Sequence, residues 1–171
     1  MKIYLVGFMG SGKTTLGRHI AGLTGYDFVD TDRFIEMQEG ISIAQIFAER
    51  GESTFREMEY QVLQTLQQRD FVIISTGGGL PCHSNNMDMM LGNGKVVYLE
   101  TSVQSLTNRL IHSHTERPLL KGKTEEELQE YVREKLAQRE PVYARAHITI
   151  QTEQLSVEKL MQQLELSPRN V

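Results

Sequence analysis

Tryptophan is absent from the 171 residues, and cysteine occurs once, at Cys82. A lone thiol cannot form an intramolecular disulfide, which excludes a stapled secreted scaffold and fits a reducing compartment. Proline is scarce at four residues, and no low-complexity tract, repeat or evident linker interrupts the chain. One domain spanning residues 1–171 is therefore expected. Basic charge is in deficit: 18 Lys and Arg stand against 22 Asp and Glu, a net charge of −4. Without a basic field, nucleic acid is not an expected partner. No apolar run approaches the roughly 20 residues that span a bilayer, so no membrane partner is expected either. The first residues carry one Lys and then turn strand-like, unlike a signal peptide, and a cytoplasmic location is the expectation.

Glycine, by contrast, is plentiful at 14 residues, and its placement is informative. Gly7-Phe8-Met9-Gly10-Ser11-Gly12-Lys13-Thr14 fits the P-loop pattern G-x-x-x-x-G-K-[ST]. Ile3-Tyr4-Leu5-Val6 before it reads as a buried strand, and Thr15-Leu16-Gly17-Arg18-His19-Ile20 after it opens a helix. Strand, glycine turn and helix N-terminus converge backbone N–H groups on one point, where the helix dipole also favours an anion. The pattern predicts a nucleoside triphosphate here. Lys13 can reach its outer phosphates, and the Thr14 hydroxyl can ligate Mg²⁺.

The rest of the chain alternates between strand and helix patterns. Strands are expected at 2–6, 27–30, 71–75, 95–99 and 147–150. Helices are expected at 13–23, 32–38, 42–49, 53–68, 85–91, 102–110, 124–139 and 157–164. Ser42 with Gln45, and Thr124 with Glu127, have capping-box spacing, while Gly25, Gly40, Gly51 and Gly92 are placed as helix stops. This order implies a parallel sheet covered by helices on both faces. Ligands on such sheets gather at the carboxyl ends of the strands.

Three features fall where that rule points. The second strand ends in Asp30-Thr31-Asp32, two carboxylates able to serve one crevice. One can hold Mg²⁺ through water and the other can accept a proton from an attacking hydroxyl; an N-cap Asp with a surface neighbour is the plainer alternative. The third strand ends in Thr76-Gly77-Gly78-Gly79. Successive glycines suit close approach to a ligand, although a hinge would use them too. Arg56, Arg117 and Arg139 complete the set. Each taken singly suits a solvated surface, but arginine is also the residue that grips a planar carboxylate or a transferring phosphoryl group.

In order, these motifs resemble those of the shikimate kinases, small P-loop enzymes that phosphorylate the 3-hydroxyl of shikimate in aromatic amino-acid biosynthesis. The resemblance runs from Ile3 to about Leu164. It rests on Gly7 to Thr14, Asp30-x-Asp32, Phe55-Arg56-x-x-Glu59, Gly77-Gly78-Gly79, Arg117-Pro118-Leu119-Leu120 and Arg139-x-Pro141-x-Tyr143. It implies an α/β fold like that of nucleoside-monophosphate kinases: a central five-stranded parallel sheet, helices on both faces and a mobile lid at about 111–123. Acceptor-binding helices would lie at about 32–60. The implied nucleotide set is Gly10, Ser11, Gly12, Lys13, Thr14 and Thr15, with Arg109 stacking on adenine and Arg117 arriving from the lid. Thr14 and Asp30 would hold Mg²⁺. The implied catalytic residues are Lys13, Asp32 and Arg117. For the acceptor, Asp32 would meet the hydroxyls, Arg56 and Arg139 would clamp the carboxylate, and Gly77, Gly78 and Gly79 would line the approach. Glu59 would hold Arg56, and Phe47 and Phe55 would wall the acceptor ring. A neutral sugar would leave the arginine donors unpaired, at about 1–3 kcal/mol each. The family is usually monomeric, and a monomer is expected.

Two alternatives remain at this point. Another small hydroxy-acid kinase, such as a gluconate kinase, shares the P-loop and the acidic strand end. A catalytically silent domain that binds the same ligands and signals to a partner would share the fold. His112, His114 and the Cys82-His83 pair suggest a metal site only weakly and suit solvated loops.

Overall fold

The computed structural model describes residues 1–113 and 122–169. Five parallel strands, β1 (Lys2–Val6), β2 (Asp27–Asp30), β3 (Val72–Ser75), β4 (Lys95–Glu100) and β5 (Ile148–Gln151), form one sheet in the order β2-β3-β1-β4-β5. β1 sits at the centre and is buried at every position. Alternation along the strands divides the interior in two. Tyr4, Val6, Val72, Ile74, Val96 and Tyr98 face one core, and Ile3, Leu5, Ile73, Val97 and Leu99 face the other.

Different helices close the two faces. α1 (Lys13–Thr24) and α7 (Val157–Gln163) bring Leu16, Ile20 and Leu160 to the Ile3 side. α2 (Thr31–Glu39), α3 (Ile43–Leu66), α4 (Asn86–Asn93), α5 (Val103–Ile111) and α6 (Glu125–Tyr143) cover the Tyr4 side. Full burial of one such aliphatic side chain contributes roughly 1.5–3 kcal/mol, so both helix layers are held mainly by these stripes.

Local signals set most of the ends. Ser42 and Thr124 make the predicted capping boxes, and Gly25 and Gly40 close α1 and α2 in left-handed geometry, with φ of 76° and 70°. Gly51 also has positive φ, 81° with ψ 169°; the helices expected at 42–49 and 53–68 meet there as two segments of α3. Three expectations are corrected. Gly92 lies inside α4, and Gly94 follows the helix instead. α6 continues past 139 through Pro141 to Tyr143, because one absent N–H in the last turn leaves the next bond, Ala144 N–H to Glu140 O at 2.8 Å, intact. β3 starts at Val72: Phe71, with φ of 52°, leaves extended geometry, although its carbonyl still accepts the Asp27 N–H of β2 at 2.9 Å. Most of the expected lid, including His114 and Arg117, lies outside the described residues.

Candidate functional site

The carboxyl ends of β1, β2 and β3 open on a cavity of about 810 Å³. Its lining includes Gly10 to Thr15, Asp30, Asp32, Ser75, Gly77, Gly78 and Arg109. The glycine turn after β1 is fixed by close packing. Gly7 has φ of 144°, and a Cβ there would lie 2.9 Å from Leu99 O. Gly10 and Gly12 also have positive φ, 83° and 96°. The turn thus adopts a conformation that side-chain-bearing residues rarely take. Lys13 leads out of it into α1 and donates from Nζ to Gly7 O at 2.9 Å and to Phe8 O at 2.8 Å. Arg109, near the end of α5, donates to Gly10 O at 3.2 Å, which sets it beside the turn.

Strand pairing brings three oxygens together below the turn. Asp30 and Ser75 are in register at the ends of β2 and β3. Thr14 Oγ1 donates to Asp30 Oδ2 at 2.8 Å and lies 3.3 Å from Ser75 Oγ. An oxygen-only set of hydroxyls and one carboxylate suits a hard divalent cation such as Mg²⁺. Asp30 does a second job: its Oδ1 accepts from Arg33 N–H at 3.3 Å as the N-cap of α2, which therefore begins at Thr31 rather than Asp32. Both readings of an Asp at this strand end, cap and crevice carboxylate, hold for the same residue.

The triple glycine gathers four charged side chains. None of Gly77, Gly78 and Gly79 has positive φ, so backbone freedom is not why they are glycines. Space is the reason at two of them. A Cβ on Gly77 would lie 2.5 Å from Asp32 Oδ1 and 3.1 Å from Glu59 Oε1, and one on Gly79 2.6 Å from Arg56 Nη1. On Gly78 it would meet Arg139 Nη1 at 3.4 Å, an ordinary contact. Residues from α2, α3 and α6 thus meet against one bare stretch of backbone. The hinge alternative for these glycines is not needed.

Within that cluster, Arg56 Nη1 donates to Glu59 Oε2 at 2.7 Å, and Glu59 is 1% exposed. Burial pushes the Glu59 carboxyl up from its ordinary 4.5 to about 7, Arg56 opposes the rise, and Asp32 adds to it. Arg56 also meets Glu52 on its solvent side, at 2.9 Å and 3.2 Å. Arg56 lies over the Phe55 ring at 5.3 Å, and Arg139 over the Phe8 ring at 5.5 Å. Phe47 and Phe55 pack at 4.8 Å between centroids, but Phe55 is buried in the core.

Several contributors were not legible as such. Thr31, buried between the two aspartates, accepts the Gly77 N–H at 2.9 Å, so that N–H is already engaged. Tyr143, the last residue of α6, donates to Gly78 O and pins the glycine turn. Its place in the Arg139-x-Pro141-x-Tyr143 motif was the one available signal. Phe8, an unspecified position of the P-loop, underlies Arg139. His112 is occupied at its helix end by Asn108 O, 2.8 Å from Nδ1, and no three His, Cys, Asp or Glu side chains group for a metal among the described residues.

Comparison with known proteins agrees with the motif order. The shikimate kinase family model matches residues 9–166. A shikimate kinase of Parabacteroides distasonis is 46% identical over 158 residues, covering 92% of this chain and 91% of its own. The crystal structure of shikimate kinase from Bacteroides thetaiotaomicron superposes with a TM-score of 0.93 at 37% identity, over 97% of this chain and 99% of that one. Shikimate kinase from Acinetobacter baumannii, solved in complex with shikimate, gives 0.84 at 40% identity, over 96% and 90%. A P-loop facing a two-arginine cluster, on a sheet and a sequence shared so closely with these enzymes, makes this chain a member of the shikimate kinase family.

Proposed function

We propose that this chain transfers the γ-phosphoryl group of ATP to the 3-hydroxyl of shikimate, giving shikimate 3-phosphate. Family membership implies ATP as the co-substrate and a small-molecule acceptor. The observation that carries the acceptor is the meeting of Arg56, Arg139, Asp32 and Glu59 at Gly77 to Gly79, beside the P-loop. Two arginine forks suit an acid, and a carboxylate oxygen beside them suits a hydroxyl. Neither the gluconate-kinase reading nor the silent-domain reading is favoured by relatives of this identity and coverage.

In this reading the amides of Gly10 to Thr15 cradle the triphosphate and Lys13 exchanges its carbonyl partners for outer phosphate oxygens. Arg109 packs on the adenine. Thr14 and Asp30 would hold Mg²⁺, which would supply neutralisation of the phosphate charge. Arg56 and Arg139 fix the acceptor through its carboxylate, while Gly78 and Gly79 present N–H groups and Gly77 makes room. Asp32 orients the hydroxyl and takes its proton as the oxygen attacks the γ-phosphorus in line; the bond to the β-phosphate oxygen breaks and ADP leaves. Arg117, from the lid, adds positive charge at the transferring group.

We place the enzyme in the cytoplasm as a single-domain monomer acting on two small molecules, with neither nucleic acid nor membrane as a partner. The lone Cys82 and the net charge of −4 support that placement. The deciding experiment is ADP release from ATP and Mg²⁺ with shikimate, quinate, gluconate, a neutral sugar and no acceptor. Turnover with shikimate alone is expected. Turnover with gluconate instead would overturn the acceptor, and silence throughout would return the weight to a binding domain.

A further inference from the structure

The carboxylate of Glu52 meets the same guanidinium to which the acceptor's carboxylate is assigned. Nε and Nη2 of Arg56 both donate to Glu52 Oε1, at 3.2 Å and 2.9 Å, while Nη1 donates to Glu59 Oε2 at 2.7 Å. The two glutamates differ sharply in setting. The Glu59 side chain is 1% exposed and the Glu52 side chain 60% exposed. Arg56 is therefore held from inside by a fixed carboxylate and covered from outside by one that water can reach.

We propose that Glu52 is an internal stand-in for the acceptor's carboxylate: it occupies the Nε/Nη2 edge of Arg56 until the acceptor arrives, yields that edge on binding, and so sets the acceptor's KM. This rests on the reading of Arg56 as a carboxylate clamp. Three features support it. A guanidinium edge grips a carboxylate best with two parallel N–H···O bonds, one to each oxygen. Glu52 offers a single oxygen to both N–H groups, so an acceptor that fills the edge with two oxygens makes the better pair. The Glu52 carboxyl is held below the ordinary carboxylate range, first by its hydrogen bond from Arg56 and then by that guanidinium's charge, so it is a competing anion at neutral pH. Finally, Glu52 follows Gly51, where φ of 81° breaks α3 and no neighbour lies within 4 Å of a Cβ position. The segment before Arg56 has room to release the edge without disturbing Glu59.

Steady-state kinetics of wild type, E52Q, R56K and the E52Q/R56K double variant test this. E52Q is expected to lower the acceptor KM roughly two- to fivefold, the scale for an exposed ion pair, with kcat and the ATP KM within twofold of wild type. In the R56K background, which lacks the fork, the gain should vanish. A KM that rises in E52Q would make Glu52 a support for Arg56 and overturn the proposal, as would an unchanged KM. Should R56K itself leave the acceptor KM unchanged, Arg56 is not the clamp, and the acceptor assignment falls with the stand-in. A raised KM in R56K with no gain in E52Q would sink the stand-in alone.

Discussion

A Cβ placed on Gly79 would lie 2.6 Å from Nη1 and 3.0 Å from Nη2 of Arg56, so this glycine and this guanidinium fill a single space. The backbone of Gly79, with φ of −84°, is open to any residue. Gly79→Ala should therefore leave the fold intact and displace only the arginine. We expect the acceptor KM to rise about tenfold to a hundredfold, the scale for a misplaced binding group, with the ATP KM and Tm close to wild type. Gly77→Ala makes the contrast, because its Cβ would meet Asp32 Oδ1 at 2.5 Å. Its loss should fall mainly on kcat. Steady-state kinetics of the two variants would separate these effects, and equal loss of both parameters would refute the division of labour.

Thr14 and Asp30 make the second prediction. Thr14→Val keeps the shape and removes the hydroxyl that donates to Asp30 at 2.8 Å. Asp30→Asn removes the charge but keeps an N-cap for α2, since Asn caps about as well as Asp. In each variant the Mg²⁺ concentration for half-maximal rate should rise about tenfold or more, with little change in acceptor KM, as losing one ligand contact requires. A Mg²⁺ titration at saturating ATP checks it.

Charge and fork geometry can be separated at Arg139. Arg139→Lys retains the charge over Phe8 but loses the paired donors, so the acceptor KM should increase roughly tenfold. An unchanged value would refute the clamp. Asp32→Asn keeps size and hydrogen-bonding ability and removes the proton acceptor. We expect kcat to fall by about 10²–10⁴ with unaltered circular dichroism, and near-normal turnover would end the base assignment.

Glu59 should make stability depend on pH. Burial raises its pKa in the fold from 4.5 to about 7. A group raised in the folded state contributes stability that is complete below the unfolded value and is lost as pH climbs through the folded one. Relative to Glu59→Gln, the wild type should therefore lose stability between about pH 4.5 and pH 7. Urea midpoints of both proteins at pH 5, 6, 7 and 8 would show the difference narrowing or reversing in that direction.

Much of this architecture is legible in local pattern. The buried strand before Gly7, the capping boxes at Ser42 and Thr124, and the glycine stops at Gly25 and Gly40 are each encoded within a few residues of one another. Gly92, Pro141 and Phe71 are harder. Each is a strong local signal overruled by its position: Gly92 by the continuing helix, Pro141 by lying in a last turn, Phe71 by a turn that its own sequence does not announce. The site divides similarly. Asp30, Asp32, Arg56, Glu59, Gly77 to Gly79 and Arg139 stand out by residue type and motif order, and the fold brings them together. Thr31 reads as a spacer between two carboxylates, and its bond to Gly77 spans 46 positions of chain. Tyr143 reaches Gly78 across 65. Contacts of that range leave no trace in periodicity.

The alternation of β1 has a mechanical consequence. α1, which carries Lys13 and Thr14, is seated in the Ile3–Leu5 core, whereas α3 and α6, which carry Arg56 and Arg139, are seated in the Tyr4–Val6 core. Helices to which the two reactants are assigned thus rest on opposite sides of one strand. Their alignment is gauged against a strand whose five residues are all buried, not against each other. β1 is thus the common datum for the distance between the assigned donor and acceptor sites.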